Sequence, residues 1–313
     1  MRKSKYFPWC VWIVPSLVFL FLLKQIVTET HTTTLTQSLH IQTGNPEKGA
    51  MASRFSNVPE MQSTHVDVSR VISTVFENGW SYCHIECLKM HASLVAKTSH
   101  LKGVNIECGV ADGGTAMIAA AVKPKARQLH LYDTFTGMPK PMASELEDIQ
   151  RSYRNTQLGL SHSPNNKLGG GAVKDGYNNT LQTVLKTRFS GLGIEVESNN
   201  VYFHPGLFQD TLNETMTSDV AFAHLDGDWY DSTMTALTYV MPRMLAGGYV
   251  VVDDYFSHSG CRRAVNDYFG LTLPGGFRKG YEPAPVQRAV EKFDKRWKIA
   301  KRENKLVFTV ESL

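Results

Sequence analysis

The sequence predicts a doubly wound α/β domain, a parallel sheet with helices on both faces. Three observations carry this. Short apolar runs alternate with helical patterns from residue 104 to residue 252, the order that builds a parallel sheet with right-handed crossovers. Two of the runs end on carboxylates: 220–225 stops at Asp226, and 249–252 stops at Asp253 and Asp254. Buried parallel strands read as continuous apolar runs, and function in such sheets gathers at their carboxyl ends. A glycine-rich turn, Gly109 to Gly113, follows the first run.

The elements follow in order. Residues 66–76 carry apolar side chains at helical spacing (Val68, Val71, Ile72, Val75), and a second helical pattern runs over 80–96. These two helices are expected to cover the domain from its N-terminal side. Residues 104–108 predict a strand, 113–122 a helix of small residues, 128–133 and 201–204 strands, 220–225 and 249–252 the central strands, and 232–245 a helix between them. The stretch 139–176 is polar and glycine-rich and predicts a helix near 144–153 followed by a lid loop. Residues 297–310 contain two strand-like runs, expected to pair as a hairpin on the sheet edge.

The N-terminus belongs to no such pattern. Arg2, Lys3 and Lys5 precede an apolar stretch over 6–23, near the lower length limit for crossing a bilayer. Its tryptophans, Pro15 and the lack of a small-residue cleavage site favour an uncleaved signal anchor over a removed signal peptide. The expected organisation is a cytoplasmic tip and transmembrane helix over 1–24, a polar stem over 25–62 and one domain over 63–313. In a eukaryote this is a type II membrane protein with its domain in the lumen of the Golgi or endoplasmic reticulum. The sequons at Asn178 and Asn213 agree with that side of the membrane.

The net charge of +4 is small and sits largely in the N-terminal tip and in 292–305. No basic stripe interleaves with aromatics, which argues against nucleic-acid binding. Cys83, Cys87, Cys108 and Cys261 would lie where disulfides are permitted, and Cys83 with Cys87 reads as structural.

The turn after the first strand spells Glu-x-Gly-x-x-x-Gly over Glu107, Gly109 and Gly113. The glycines let backbone approach a ligand, and the following helix offers free amides. The spacing differs from that of dinucleotide binders. Asp133 ends the next strand, where an acid can bind ribose hydroxyls. A nucleoside-bearing cofactor is therefore expected. Asp226, Asp253 and Asp254 would repel one another at adjacent strand ends unless a hard divalent cation lay between them. Asp228 reads as a cap for the helix after it, His258 as a weaker candidate base, and Arg262 and Arg263 as ion-pair partners.

Six ordered blocks now show a resemblance. Glu107-x-Gly109, Leu131-Tyr-Asp-Thr-Phe-Thr-Gly-Met-Pro139, Gly206-x-Phe-x-Asp-Thr-Leu212, Leu225-Asp-Gly-Asp-x-Tyr-x-Ser-Thr233, Gly247-Gly-Tyr-Val-x-Val-Asp-Asp-Tyr255 and Gly260-Cys-Arg-Arg-Ala-Val265 resemble the macrocin O-methyltransferase family over residues 64–275. The resemblance implies a Rossmann-like methyltransferase sheet and Mg2+-dependent transfer from S-adenosylmethionine to a sugar or glycan hydroxyl. It implies that Glu107, Gly109 and Gly113 form the S-adenosylmethionine loop and that Asp133 binds ribose. It places Gly206 and Phe208 in the block expected near the adenine. The same resemblance implies that Asp226, Asp253 and Asp254 are metal ligands and that Asp226 is also the general base. The basic stretch 292–305, the anchor and the stem depart from the family pattern. Open alternatives are a methyltransferase for a catechol-like or lipid hydroxyl and an inactive lumenal binding protein. Self-association into a homo-oligomer stays open.

Overall fold

The computed structural model describes residues 66–158, 160, 180–212, 218–271, 288–292 and 295–312. The predicted anchor, stem and sequon asparagines lie outside the described residues. Among the described residues no helix is long and apolar enough to cross a membrane.

The N-terminal cover is built from α1 (Val68–Asn78) and α2 (Ile85–Lys97). Asp67 starts α1 by accepting the amides of Ser69 and Arg70 at 2.9 and 3.3 Å, and Gly79 ends it at φ 68°. Val71, Ile72 and Val75 form its buried stripe. The second cover helix starts later than expected. His84 caps it by accepting the Cys87 amide at 3.3 Å, and Cys83 and Cys87 form a disulfide across this start. Both cysteines thus have the expected structural role, while Cys108 and Cys261 are buried free thiols.

The parallel core has β1 (Val104–Cys108), α3 (Gly114–Val122), β2 (Leu129–Asp133), α4 (Glu147–Gln157), α5 (Thr180–Gly191), β3 (Val201–Pro205), α6 (Phe208–Thr211), β4 (Val220–Leu225), α7 (Tyr230–Val240), β5 (Met244–Val252) and α8 (Ser259–Phe269). A hairpin system follows, β6 (Arg288–Lys292), β7 (Lys295–Arg302) and β8 (Lys305–Ser312). The strand order is β3-β2-β1-β4-β5-β8-β7-β6, parallel through β5 and antiparallel beyond it. The expected terminal hairpin is present and pairs onto β5, with β6 as a third strand.

Two apolar layers sandwich the sheet. One joins α1, α2, α3 and α5 to the sheet through residues such as Leu88, Met117, Phe189 and Phe222. The other packs α7 and α8 on the opposite face through Leu237, Val240, Val265, Trp297 and Phe308. Each fully buried large side chain contributes about 1.5–3 kcal/mol. The helix expected over 232–245 is shorter than its pattern. Pro242 lacks an amide hydrogen, so α7 gives way to a 3-10 turn at Met241–Arg243 and β5 begins at Met244. The helix expected near 144–153 begins at Glu147, because the backbone before it makes a turn from Met142 to Glu145.

Candidate active site

Register places the site. Cys108 pairs with Leu225, and Leu225 with Val252, across β1, β4 and β5. The next residues are Gly109, Asp226 and Asp253, and the ladder continues into them: the Asp226 amide donates to the Cys108 carbonyl at 2.8 Å and the Asp253 amide to the Leu225 carbonyl at 3.0 Å. Neighbouring strands lie about 4.8 Å apart, so residues at equal height stand side by side. Ligand oxygens of Asp226, Asp253 and Asp254 all lie within 4.8 Å of one another. The predicted convergence of the three aspartates is what the fold delivers.

The donor set suits a hard cation. It is made of carboxylate oxygens alone, as Mg2+ or Ca2+ prefers. Burial, then the charges of Asp253, Asp254 and Asp228, push the Asp226 carboxyl well above the usual carboxylate range. A cation among these oxygens would relieve that repulsion. Asp254 is 8% exposed and stays ionised despite burial, because the His258 imidazole beside it holds its carboxyl far down. His258 Nδ1 lies 2.9 Å from Asp254 Oδ1, and the Ser257 hydroxyl donates to the same oxygen at 2.6 Å. The same contacts outweigh burial at His258 and push its pKa up to about 9. His258 therefore holds Asp254 in place and also meets Ser152 of α4 at 3.0 Å.

Beside the aspartates lies a cavity of about 330 Å³, lined by Gly109, Asp133, Gly206, Phe208, Asp226 and Asp228 among others. Gly109 has φ 86°, and a Cβ there would lie 2.0 Å from the Asp226 carbonyl oxygen. Gly113, at φ 83°, starts α3 without a side-chain cap. Asp133 grips the loop from the next strand: Oδ2 accepts the amides of Val110 and Ala111 at 2.7 and 3.1 Å, and Oδ1 accepts that of Phe135 at 2.8 Å. Glu107 lies behind the cavity, 1% exposed, and accepts the Thr115 hydroxyl at 2.6 Å. It fixes the loop from below.

Two residues that contact the acidic cluster escape the sequence reading. His224 on β4 stands between Glu107 and Asp253, with Nδ1 3.6 Å from Glu107 Oε1 and Nε2 3.2 Å from Asp253 Oδ1. Burial opposes its charge, but the hydrogen bonds and charges of Asp253 and Glu107 prevail and raise its pKa to about 9. The one signal was a polar residue inside the run Val-Ala-Phe-Ala-His-Leu. Lys305 on β8 reaches Asp253 Oδ2, and no local pattern marks it.

Asp228 corrects an expectation. It does not cap α7; it sits at φ 58° with its carboxylate turned toward Asp254 and His258, 3.9 Å from His258 Nδ1. The first amide of α7, that of Tyr230, is taken instead by Glu145 Oε1 at 2.6 Å. Arg263 stands 3.9 Å from Glu145, and Arg262 donates to the Tyr255 carbonyl at 2.8 Å, so both arginines brace structure.

Residues 174–271 match the family model described as Macrocin-O-methyltransferase (TylF). The chain is 36% identical over 169 residues to the 8-demethyl-8-(2,3-dimethoxy-alpha-L-rhamnosyl)-tetracenomycin-C 4'-O-methyltransferase of Streptomyces olivaceus, covering 53% of this chain and 57% of that protein. Over residues 174–271 the chain is similar to macrocin O-methyltransferases. A further relative, the mycinamicin III 3''-O-methyltransferase of Micromonospora griseorubida, is 31% identical over 173 residues, 52% of this chain and 59% of that one. The chain thus spans a little over half the length of these two relatives. The likeness of fold extends further: the solved structure of the O-methyltransferase NovP superposes with a TM-score of 0.53 at 20% identity, covering 79% of this chain and 100% of that one.

Proposed function

We propose that this chain transfers the methyl group of S-adenosylmethionine to a hydroxyl of a sugar or glycan, using Mg2+ held by Asp226, Asp253 and Asp254. One observation carries the reading: Asp226 both lines the cavity beside the glycine turn and belongs to the three-carboxylate cluster. Donor, acceptor and cation would thus meet at one side chain. The rhamnosyl group in the first relative's name supports a sugar acceptor.

In this reading Gly109 and Gly113 leave room for the donor, Glu107 holds their loop, Asp133 takes the ribose hydroxyls, and Gly206 and Phe208 face the adenine. A bound divalent cation would lower the pKa of the acceptor hydroxyl and orient it. The acceptor oxygen forms its bond to the methyl carbon as the sulfonium carbon–sulfur bond breaks, and Asp226 receives the hydroxyl proton. The shape of the cavity aligns donor and acceptor, a large share of the rate in such displacements.

We place the domain in the lumen of the Golgi or endoplasmic reticulum, behind an anchor over 6–23. The basic tip, the apolar stretch and the two sequons support this. Loss of a mobility shift on Asn178→Gln or Asn213→Gln in a secretory host checks it.

The test of function is incubation of the full chain with radiolabelled S-adenosylmethionine and a panel of oligosaccharides, with and without chelator. Label is expected on a hydroxyl, lost in chelator and restored by Mg2+. Absence of donor binding, or turnover unchanged in excess chelator, would overturn the reading.

A further inference from the structure

Residues 174–271 carry the family match, yet the acidic cluster receives a cationic side chain from beyond it. Arg302 pairs with Lys305 across a tight turn in which Glu303 and Asn304 take φ 45° and 60°, the geometry of a two-residue hairpin. Leu306 then pairs with Val252. The next residue in each direction is Lys305 and Asp253, so the hairpin turn delivers the lysine to the strand end where the aspartates gather. Lys305 Nζ binds Asp253 Oδ2, and its side chain is 17% exposed. Asp253 Oδ1 meets His224. Both oxygens of one proposed metal ligand are therefore held by cationic or polar donors, one of them an ammonium that also feels the charges of Asp254 and Asp226.

We propose that Lys305 is a resident counter-cation of the acidic site: it holds Asp226, Asp253 and Asp254 together without metal and weakens the site's grip on a divalent cation. The inference rests on the metal site of the proposed function and adds a residue to it. Two positive charges drawn to one carboxylate repel, and in a partly buried site that repulsion is little screened. A cluster of three carboxylates with no cation would conversely repel itself. One side chain thus serves both states, making the protein stable before metal arrives and the metal exchangeable afterwards.

The test compares the full wild-type chain with Lys305→Met, Lys305→Gln and Lys305→Arg. Mn2+ binding is read by electron paramagnetic resonance, and thermal unfolding is followed in chelator and in Mn2+. Lys305→Met and Lys305→Gln are expected to bind Mn2+ at least about tenfold more tightly than wild type, to melt lower in chelator and to recover most of that loss when Mn2+ is added. Lys305→Arg, which keeps the charge, is expected to stay close to wild type. A lysine that only packs the hairpin would lower stability in both conditions and leave Mn2+ affinity unchanged or weaker, and that outcome overturns the proposal. Should Lys305→Met unfold in chelator, recovery of the fold in Mn2+ supports the proposal and failure to recover overturns it. Wild type that binds S-adenosylmethionine but no Mn2+ also overturns it, while leaving methyl transfer standing.

Discussion

Asp226 and Asp253 leave neighbouring parallel strands at the same height, and the amide of Asp253 donates to the carbonyl of Leu225, the residue before Asp226, at 3.0 Å. Sheet register alone therefore brings together two carboxylates that are 27 residues apart in the chain, and Asp254 follows as the next residue. The chemistry proposed for the site depends on that alignment.

Asp226→Asn keeps the size of the side chain and removes its basicity. Turnover is expected to fall by about 10²–10⁴-fold, with S-adenosylmethionine affinity within a few fold of wild type. Methyl transfer measured beside calorimetric donor binding checks both. Full turnover in the variant would remove Asp226 from the base role.

Gly109→Ala places a methyl group 2.0 Å from the Asp226 carbonyl oxygen at a φ of 86°. Backbone strain of this kind costs about 1–3 kcal/mol, and the clash adds to it. A lower melting temperature and loss of donor binding are expected, and a variant that matches wild type in both would show that the turn can relax.

His224 carries a pH signature in chelator. Its folded pKa, about 9, lies above the ordinary 6.5, so its ion pairs stabilise fully below pH 6.5 and the contribution fades as pH rises through 9. Compared with His224→Gln, wild type should be more stable by a few kcal/mol, on the order of 1–3, at pH 6, and the gap should close by pH 10. Denaturant unfolding at the two pH values reads the gap, and a gap that widens with pH contradicts the assignment.

Much of this was legible in the sequence because the signals were local. An apolar run ending on a carboxylate marks both a buried parallel strand and its functional end, so Asp226, Asp253 and Asp254 stand out from the order of residues alone. The glycines at 109 and 113 report backbone freedom, which one sequence can show. Side-chain partners across the fold are a different matter. Asp228 carries the composition of a cap, but its positive φ turns it away and Glu145, 85 residues distant, takes the amide instead. Lys305 lies in a basic stretch that composition reads as a solvated surface, and only the hairpin register buries it against Asp253. Glu107 reads from the motif as part of the cofactor loop, while its contacts with Thr115 and His224 become visible only in the fold.

Helix α4 gives another prediction. Its Asp148 accepts the amide and hydroxyl of Ser259 at 3.1 and 2.7 Å, starting α8 from outside, and Trp229 donates to the Pro139 carbonyl at 3.0 Å. Asp148→Ala should cost about 1 kcal/mol of stability and raise the acceptor KM more than it lowers kcat. Steady-state kinetics with varied acceptor separates these, and an unchanged KM would confine Asp148 to holding the start of α8.

The central claim is that Asp226, Asp253 and Asp254 share one divalent cation. Anomalous diffraction from crystals of the protein soaked in Mn2+ tests it most directly. A single strong peak within coordination distance of all three carboxylates is predicted; Mn2+ bound elsewhere, or no peak among these residues at saturating Mn2+, would contradict it.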